Sequence, residues 1–180
     1  EQPLSSMIVL RQAELYAPER LGRQDLLIAG GTIVAMASRL PDLPAALGAV
    51  EVDLGGLRVI PGLIDGHVHL TGGGGEAGPH TRVSPLRITE LTAGGITTAI
   101  GVLGTDDAVR TTAELVTVTR GLRQLGISAW CHTGGYHLPP TTLSGTVRGD
   151  IALIDEIIGV GEVAISDHRS SQPTLDELLR

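Results

Sequence analysis

The chain has 180 residues, enough for a folded domain with a buried core, and 42% of them are hydrophobic, which excludes an intrinsically disordered protein. The net charge of −7 argues against a nucleic-acid partner or an anionic membrane surface, and a single cysteine, Cys131, excludes an internal disulfide. No apolar run approaches the roughly 20 residues of a membrane span and no signal-peptide pattern opens the chain, so we expect a cytoplasmic protein.

The first part of the chain, residues 1–58, carries short β patterns separated by turns. Two apolar runs flank Gly30-Gly31, a dipeptide that favours a tight hairpin turn. Pro41 and Pro44 interrupt the pattern, which then resumes. The predicted strands cover residues 8–10, 25–29, 32–36 and 50–54. This part is therefore predicted to be a small β domain.

From residue 59 onwards, strand and helix patterns alternate about every 30 residues. The predicted strands cover 63–69, 97–102, 128–133 and 163–166, and the predicted helices cover 85–93, 107–125 and 150–158. In the second helix, apolar residues recur three and four positions apart: Leu115, Val118, Leu122 and Leu125. This alternation predicts βα units with a parallel sheet, and a closed barrel and a doubly wound sheet would both show it.

The first strand of this second part ends in His67-Val68-His69. Side chains alternate along a strand, so histidines at i and i+2 face the same side and can share a divalent metal ion. The same spacing also occurs by chance in packed or exposed positions. The spacing alone therefore leaves a metal site and a structural pair as alternatives.

The run from Pro61 to His69 resembles the first-strand signature of the amidohydrolase superfamily, which are metal-dependent hydrolases built on a (β/α)8 barrel. Further blocks resemble the isoaspartyl (β-aspartyl) dipeptidase family in their order and spacing, at 72–79, 103–106, 126–130, 135–137 and 164–170. The resemblance implies an α/β fold: a small β-sandwich domain at 1–58, completed by later residues, and the first half of a (β/α)8 TIM-like barrel at 59–180. A complete barrel takes roughly 250 residues, so we expect the chain to be the N-terminal half of a longer enzyme.

The resemblance also assigns residues to the substrate. It implies that Gly74 and Gly75 line the pocket, that Glu76 pairs with the α-ammonium group of the substrate, and that Arg169 binds its carboxylate through a planar, bidentate guanidinium. Thr105 is a further pocket candidate. Each of them follows a predicted strand, where the active sites of barrels lie. The remaining histidines are predicted to be structural or carry no comparable signal: His80, His132, His137 and His168.

The group that bridges the metals has to differ from a pattern common in the superfamily, a carbamylated lysine at the start of the fourth strand. All 13 basic residues of this chain are arginine, so that group cannot form. Glu162 falls at the matching position, with Gly161 as the alternative if a one-residue insertion is placed differently. A glutamate carboxylate supplies two oxygens and a negative charge, as a carbamate does. The predicted ligands are therefore His67, His69 and Glu162, for two divalent ions that we expect to be Zn²⁺.

The function that the resemblance implies is hydrolysis of β-aspartyl dipeptides to aspartate and an amino acid by a metal-bridging hydroxide. Tyr136 is the predicted catalytic residue of this segment, hydrogen-bonding near the scissile carbonyl, and the general base is expected beyond Arg180. We therefore expect the segment alone to be inactive.

Two other interpretations stay open: an amidohydrolase acting on cyclic amides, which would not need Glu76 and Arg169 together, and a non-catalytic metal-binding module. The expected partner is a small dipeptide, with no nucleic acid or membrane. The expected assembly is a homo-oligomer.

Overall fold

The computed structural model of the protein describes residues 7–179, which divide into two compact units, the first ending at Pro61 and the second beginning at Gly62. The first unit is a five-stranded sheet in the order β3-β2-β1-β4, with β5 also paired to β1. The β1–β2 and β2–β3 pairs are antiparallel, whereas β4 and β5 run parallel to β1. Its strands are β1 (Met7–Tyr16), β2 (Arg20–Ala29), β3 (Thr32–Ala37), β4 (Val50–Asp53) and β5 (Arg58–Val59).

The hairpin predicted at Gly30-Gly31 is present between β2 and β3, and both glycines have positive φ, at 56° and 77°. Strand β2 begins five residues before the predicted start. Residues 20–24 lack an alternating pattern, but they pair with β1 beyond a register shift between Leu10 and Ala13. The described part of this unit contains one sheet, so a second sandwich layer is not found within it.

The second unit is a four-stranded parallel sheet in the order β6-β7-β8-β9. A doubly wound sheet reverses its strand order at a switch point, whereas a barrel adds each strand beside the previous one. The observed order is that of a barrel, as the fold class predicted. The elements are β6 (Leu63–Val68), α1 (Ile88–Ala93), β7 (Ile96–Gly101), α2 (Thr112–Gln124), β8 (Ser128–Thr133), α3 (Val147–Leu153), β9 (Ile157–Val160) and α4 (Leu175–Leu178).

The core of the second unit lies between the sheet and the helices. Helix α2 buries Leu115 and Leu122 against it, as the periodicity predicted, whereas Leu125 falls at the C-cap and is 64% exposed. Buried partners from the other elements include Leu91, Ala99 and Ile157. None of the helices within residues 7–179 is long and apolar enough to cross a membrane.

The fourth strand and the third helix lie elsewhere than predicted. Helix α3 begins at Val147, where the hydroxyl of the N-cap Thr146 accepts a hydrogen bond from the Gly149 amide, and it ends at Leu153 rather than at residue 158. The strand is Ile157–Val160, not 163–166, because this earlier run pairs with β8 and buries Ile157. Residues 161–169 are therefore the loop at the C-terminal end of β9.

The first two helices of this unit also begin later than predicted. Helix α1 begins at Ile88, three residues after Pro85. Helix α2 begins at Thr112, because the hydroxyl of Thr111 accepts a hydrogen bond from the Glu114 amide and caps the helix there. Residues 105–110 consequently form a turn at the end of β7 rather than the first turns of a helix.

Candidate functional site

The three predicted metal ligands come together at the C-terminal ends of the strands. His67 is in β6, His69 follows it directly, and Glu162 lies in the loop after β9. One ligand atom of each lies within 4.8 Å of the others, and the imidazole centroids are 5.6 Å apart. Glu162 Oε2 contacts His67 Nε2, and Glu162 Oε1 lies 3.9 Å from His69 Nε2. The alternative at Gly161 offers no side-chain ligand, so Glu162 is the residue that the fold brings to the two histidines.

The surroundings of these ligands fit a metal ion. Two imidazoles and a carboxylate are a donor set suited to zinc and similar divalent ions. His69 Nδ1 is buried and makes no hydrogen bond within the described residues, which leaves that nitrogen without a polar partner. The backbone of Gly104 packs against the His69 ring, since a Cβ atom there would lie 2.7 Å from His69 Cε1.

His132 also lies beside the candidate ligands His67, His69 and Glu162, hereafter the metal cluster, although the sequence around it carried no signal. A Cβ atom added to Gly159 would lie 3.3 Å from the His132 ring, so the absence of a side chain there makes room for the imidazole. Burial, followed by the nearby charge of His67, lowers the pKa of His132. The neutral form is therefore favoured. The β8–β9 pairing places His132 opposite Gly159.

The predicted substrate residues line a cavity of about 420 Å³ next to the metal cluster. Gly74, Gly75, Glu76, Thr105 and Arg169 all border it. Arg169 Nη1 donates to Glu76 Oε1 at 3.0 Å, and the Thr105 hydroxyl lies 3.3 Å from the same oxygen. Loops that follow three different strands thus supply one charged cluster.

One edge of the Arg169 guanidinium, formed by Nε and Nη2, is already engaged by Asp167. Asp167 accepts from Arg169 Nε at 2.9 Å and from Nη2 at 2.7 Å. These hydrogen bonds hold the pKa of Asp167 well below its usual range and raise the pKa of Arg169. Asp167 accepts from the Nε–H and from one N–H of Nη2, so the second N–H of Nη2 and both N–H groups of Nη1 remain, and Nη1 is the nitrogen that contacts Glu76.

Tyr136 lies in the loop after β8, beside both the metal cluster and the charged cluster. A smaller pocket is bordered by Tyr136, His69, Glu76, Glu162 and Arg169. The guanidinium carbon of Arg169 lies 5.7 Å from the centroid of the Tyr136 ring. Burial, followed by the charge of Glu162, raises the pKa of Tyr136, so its hydroxyl stays protonated and can donate a hydrogen bond.

The glycine-rich loop that carries Glu76 is held by a buried arginine that the sequence did not single out. Arg110 Nη2 donates to the carbonyl of Val83 at 3.0 Å, and Val83 N–H donates to Gly73 O at 2.8 Å. Gly74 has a φ of 69°, and a Cβ atom there would lie 2.7 Å from Thr81 O. A side chain at this position would push the segment around Gly74 away from the segment around Thr81. The glycines therefore allow the chain to fold back closely upon itself.

Solved structures similar to this chain include β-aspartyl dipeptidase from Fervidobacterium islandicum AW-1 in complex with the dipeptide β-Asp-Leu. It is 41% identical, with a TM-score of 0.88, over 98% of this chain and 46% of that one. A dihydroorotase structure is 19% identical with a TM-score of 0.57 over 93% of this chain, a likeness of fold alone. The chain thus spans about half the length of these solved relatives.

Curated proteins match over shorter stretches. An allantoinase from Deinococcus radiodurans is 43% identical over 67 residues, which are 37% of this chain and 14% of that protein. A dihydroorotase from Leifsonia xyli subsp. xyli is 37% identical over 94 residues, 52% of this chain and 20% of that protein. No protein-family profile matches the chain. These likenesses confirm the resemblance on which the predicted fold depended.

Proposed function

We propose that this chain, which belongs to the amidohydrolase superfamily and is similar to β-aspartyl dipeptidase along nearly all its length, supplies metal ligands and substrate contacts to an enzyme that hydrolyses β-aspartyl dipeptides. The observation that carries the proposal is a single pocket bordered by two of the candidate metal ligands, His69 and Glu162, and by the Glu76–Arg169 ion pair. A small dipeptide has one amide to cleave and charged termini to recognise. The pocket offers groups for both tasks.

The metal chemistry is the first part of the proposal. His67 and His69 would hold one divalent ion, and Glu162 would bridge it to a second, with zinc as the metal that suits these donors. When bound, such ions supply an acidified water and a Lewis acid for the amide carbonyl. We place the other ligands and the general base outside residues 1–180.

Recognition of the substrate is the second part. Glu76 and Arg169 are partly exposed, at 41% and 34%, so water screens their ion pair and little is lost when it opens. A substrate with an ammonium and a carboxylate would replace each partner with an opposite charge. A substrate that lacks one of these charges would leave Glu76 or Arg169 unpaired. We therefore propose that unblocked dipeptides are preferred.

Tyr136 is the residue that we place nearest the reacting amide. Its pKa is raised by burial, so the neutral hydroxyl is the form present at neutral pH. A neutral hydroxyl directed at the scissile carbonyl can stabilise the negative charge that develops on that oxygen. The role is one of hydrogen-bond donation, without transfer of the tyrosine proton.

The test uses the full-length protein and β-Asp-Leu, the dipeptide present in the Fervidobacterium structure. We expect hydrolysis of β-Asp-Leu, much weaker hydrolysis of its two monoamides, and none of α-Asp-Leu. Arg169→Met should raise the KM for β-Asp-Leu and reduce the difference between the dipeptide and one of the monoamides. Equal rates for the dipeptide and both monoamides in the wild type would contradict the assignment of Arg169, because no carboxylate would then be recognised.

The same assays distinguish the proposed function from two other candidate functions. The curated matches to an allantoinase and a dihydroorotase make hydrolysis of a cyclic amide the second candidate. Turnover of dihydroorotate or allantoin, without turnover of β-Asp-Leu, would favour it. A full-length protein that retains its metal and hydrolyses none of these compounds would be a metal-binding module.

Cellular setting and assembly form the last part of the proposal. We propose a cytoplasmic homo-oligomer, as expected from the sequence and the family resemblance. Light scattering on the full-length protein after gel filtration would measure its mass, and a monomer at micromolar concentration would contradict the assembly. Fractionation of cells that produce it would test the compartment.

A further inference from the structure

A buried carboxylate outside the proposed ligand and substrate set contacts both neighbours of Tyr136. Asp107 lies in the turn after β7, with 6% of its surface exposed. Its Oδ1 is 2.7 Å and its Oδ2 2.9 Å from the Nδ1 of His137, and the backbone N–H of His137 donates to Oδ2 at 3.3 Å. On the other side of Tyr136, the backbone of Gly135 packs so closely that an added Cβ atom would overlap the Asp107 carboxylate.

These contacts fix the backbone on both sides of the tyrosine. A buried carboxylate has to keep its hydrogen-bond donors, and here the donors are a ring and an amide of the loop that it holds. Tyr136 has a third restraint, since its carbonyl accepts from the Ala164 amide at 3.3 Å. The direction of the phenol is therefore set by the loop that carries it, and Asp107 fixes that loop to the end of β7.

We infer that Asp107 is a positioning residue for Tyr136, acting through Gly135 and His137 rather than through contact with the substrate. The inference rests on the proposed function, in which Tyr136 donates to the scissile carbonyl. A displacement of about 1 Å in a group that acts in the transition state can reduce the rate about 100-fold. Loss of Asp107 should therefore lower kcat and leave KM nearly unchanged.

A double-mutant cycle in the full-length protein tests this route. We expect Asp107→Asn to lower kcat for β-Asp-Leu by about 10- to 100-fold. In a Tyr136→Phe background the same change should cost less than about twofold, because the hydroxyl that it positions is already absent. Asp155→Asn, which removes an exposed carboxylate in the turn before β9, is the matched control and should leave kcat unchanged. Equal losses in both backgrounds would overturn the inference.

Amide hydrogen exchange of residues 134–141 measures the position of the loop without any substrate. The useful reporter is the Gly134 amide, which donates to Thr141 O at 3.0 Å and not to Asp107. We expect faster exchange there in Asp107→Asn than in the wild type or Asp155→Asn. Should Asp107→Asn fail to fold, His137→Ala removes the ring donor from a half-exposed position and should show the same exchange and the same non-additivity.

The two measurements separate the failure of this inference from that of the proposed function. A wild type that does not cleave β-Asp-Leu contradicts the proposed function, and hydrogen exchange alone then decides the inference. Faster exchange at Gly134 would support the role of Asp107 in holding the loop. Unchanged exchange would overturn it, whatever the activity.

Discussion

Gly104→Ala should weaken metal binding, although Gly104 has no side chain to bind anything. A Cβ atom at this position would lie 2.7 Å from His69 Cε1, 3.2 Å from His69 Nδ1 and 3.4 Å from Glu162 Oε1. Ordinary contact between carbon atoms needs roughly 3.5 Å, so the ring has to move by about 0.8 Å. Bonds between a metal and its ligands tolerate about 0.2 Å. We therefore expect affinity for the metal at His69 to fall at least about tenfold.

The measurement is the zinc affinity of the full-length protein, by competition with a chelator of known affinity. Gly121→Ala is the control, because Gly121 lies within α2 with no atom near enough to meet a Cβ. That change should leave zinc affinity unaltered and stabilise the helix by up to about 1 kcal/mol. Equal zinc affinities for the two alanine variants would refute the reasoning, since the His69 ring could not then be a ligand in the position described.

The remaining predictions concern two carboxylates, Glu162 and Asp150. Glu162→Gln removes the charge that offsets the cations, so elemental analysis of the full-length protein should show the loss of at least one metal per chain. Metal uptake by the wild type should not depend on bicarbonate, because the chain has no lysine to carbamylate. Asp150→Asn should lower the free energy of unfolding by about 3 kcal/mol in urea titrations. The reason is that this fully buried carboxylate accepts from the amides of Leu143 and Ser144 and from the Thr133 hydroxyl. A loss of stability no larger than that of Asp155→Asn would contradict this prediction.

The strands and helices of the second unit were largely predictable, because sequence patterns within each element indicate them. Strand β6 ends where an apolar run meets two histidines, and α2 shows its buried face in the spacing of Leu115 and Leu122. The fourth strand was placed six residues late because two neighbouring runs, 157–160 and 163–166, are both apolar and β-branched. The pairing of Ile157 with Cys131 decides between them, and that pairing is not local in sequence.

The residues that hold the site in place escaped prediction for the same reason. Asp107 contacts a histidine 30 positions later, and Arg110 contacts a carbonyl 27 positions earlier. An aspartate or an arginine in a polar turn looks like an exposed residue until the fold buries it. The sequence likewise did not indicate that Asp167, only two positions from Arg169, accepts from two nitrogens of its guanidinium.

The Asp167–Arg169 pair has a consequence for conformational entropy. An arginine side chain has many rotamers in solution, and a ligand that binds a free one has to restrict them. Here Asp167 fixes the guanidinium when the chain folds, so the ordering is complete before any ligand arrives. The terminal nitrogen Nη1 then lies 3.0 Å from Glu76 Oε1 in this arrangement. If Arg169 binds a carboxylate as proposed, the Asp167 contact would lower the conformational entropy that binding costs.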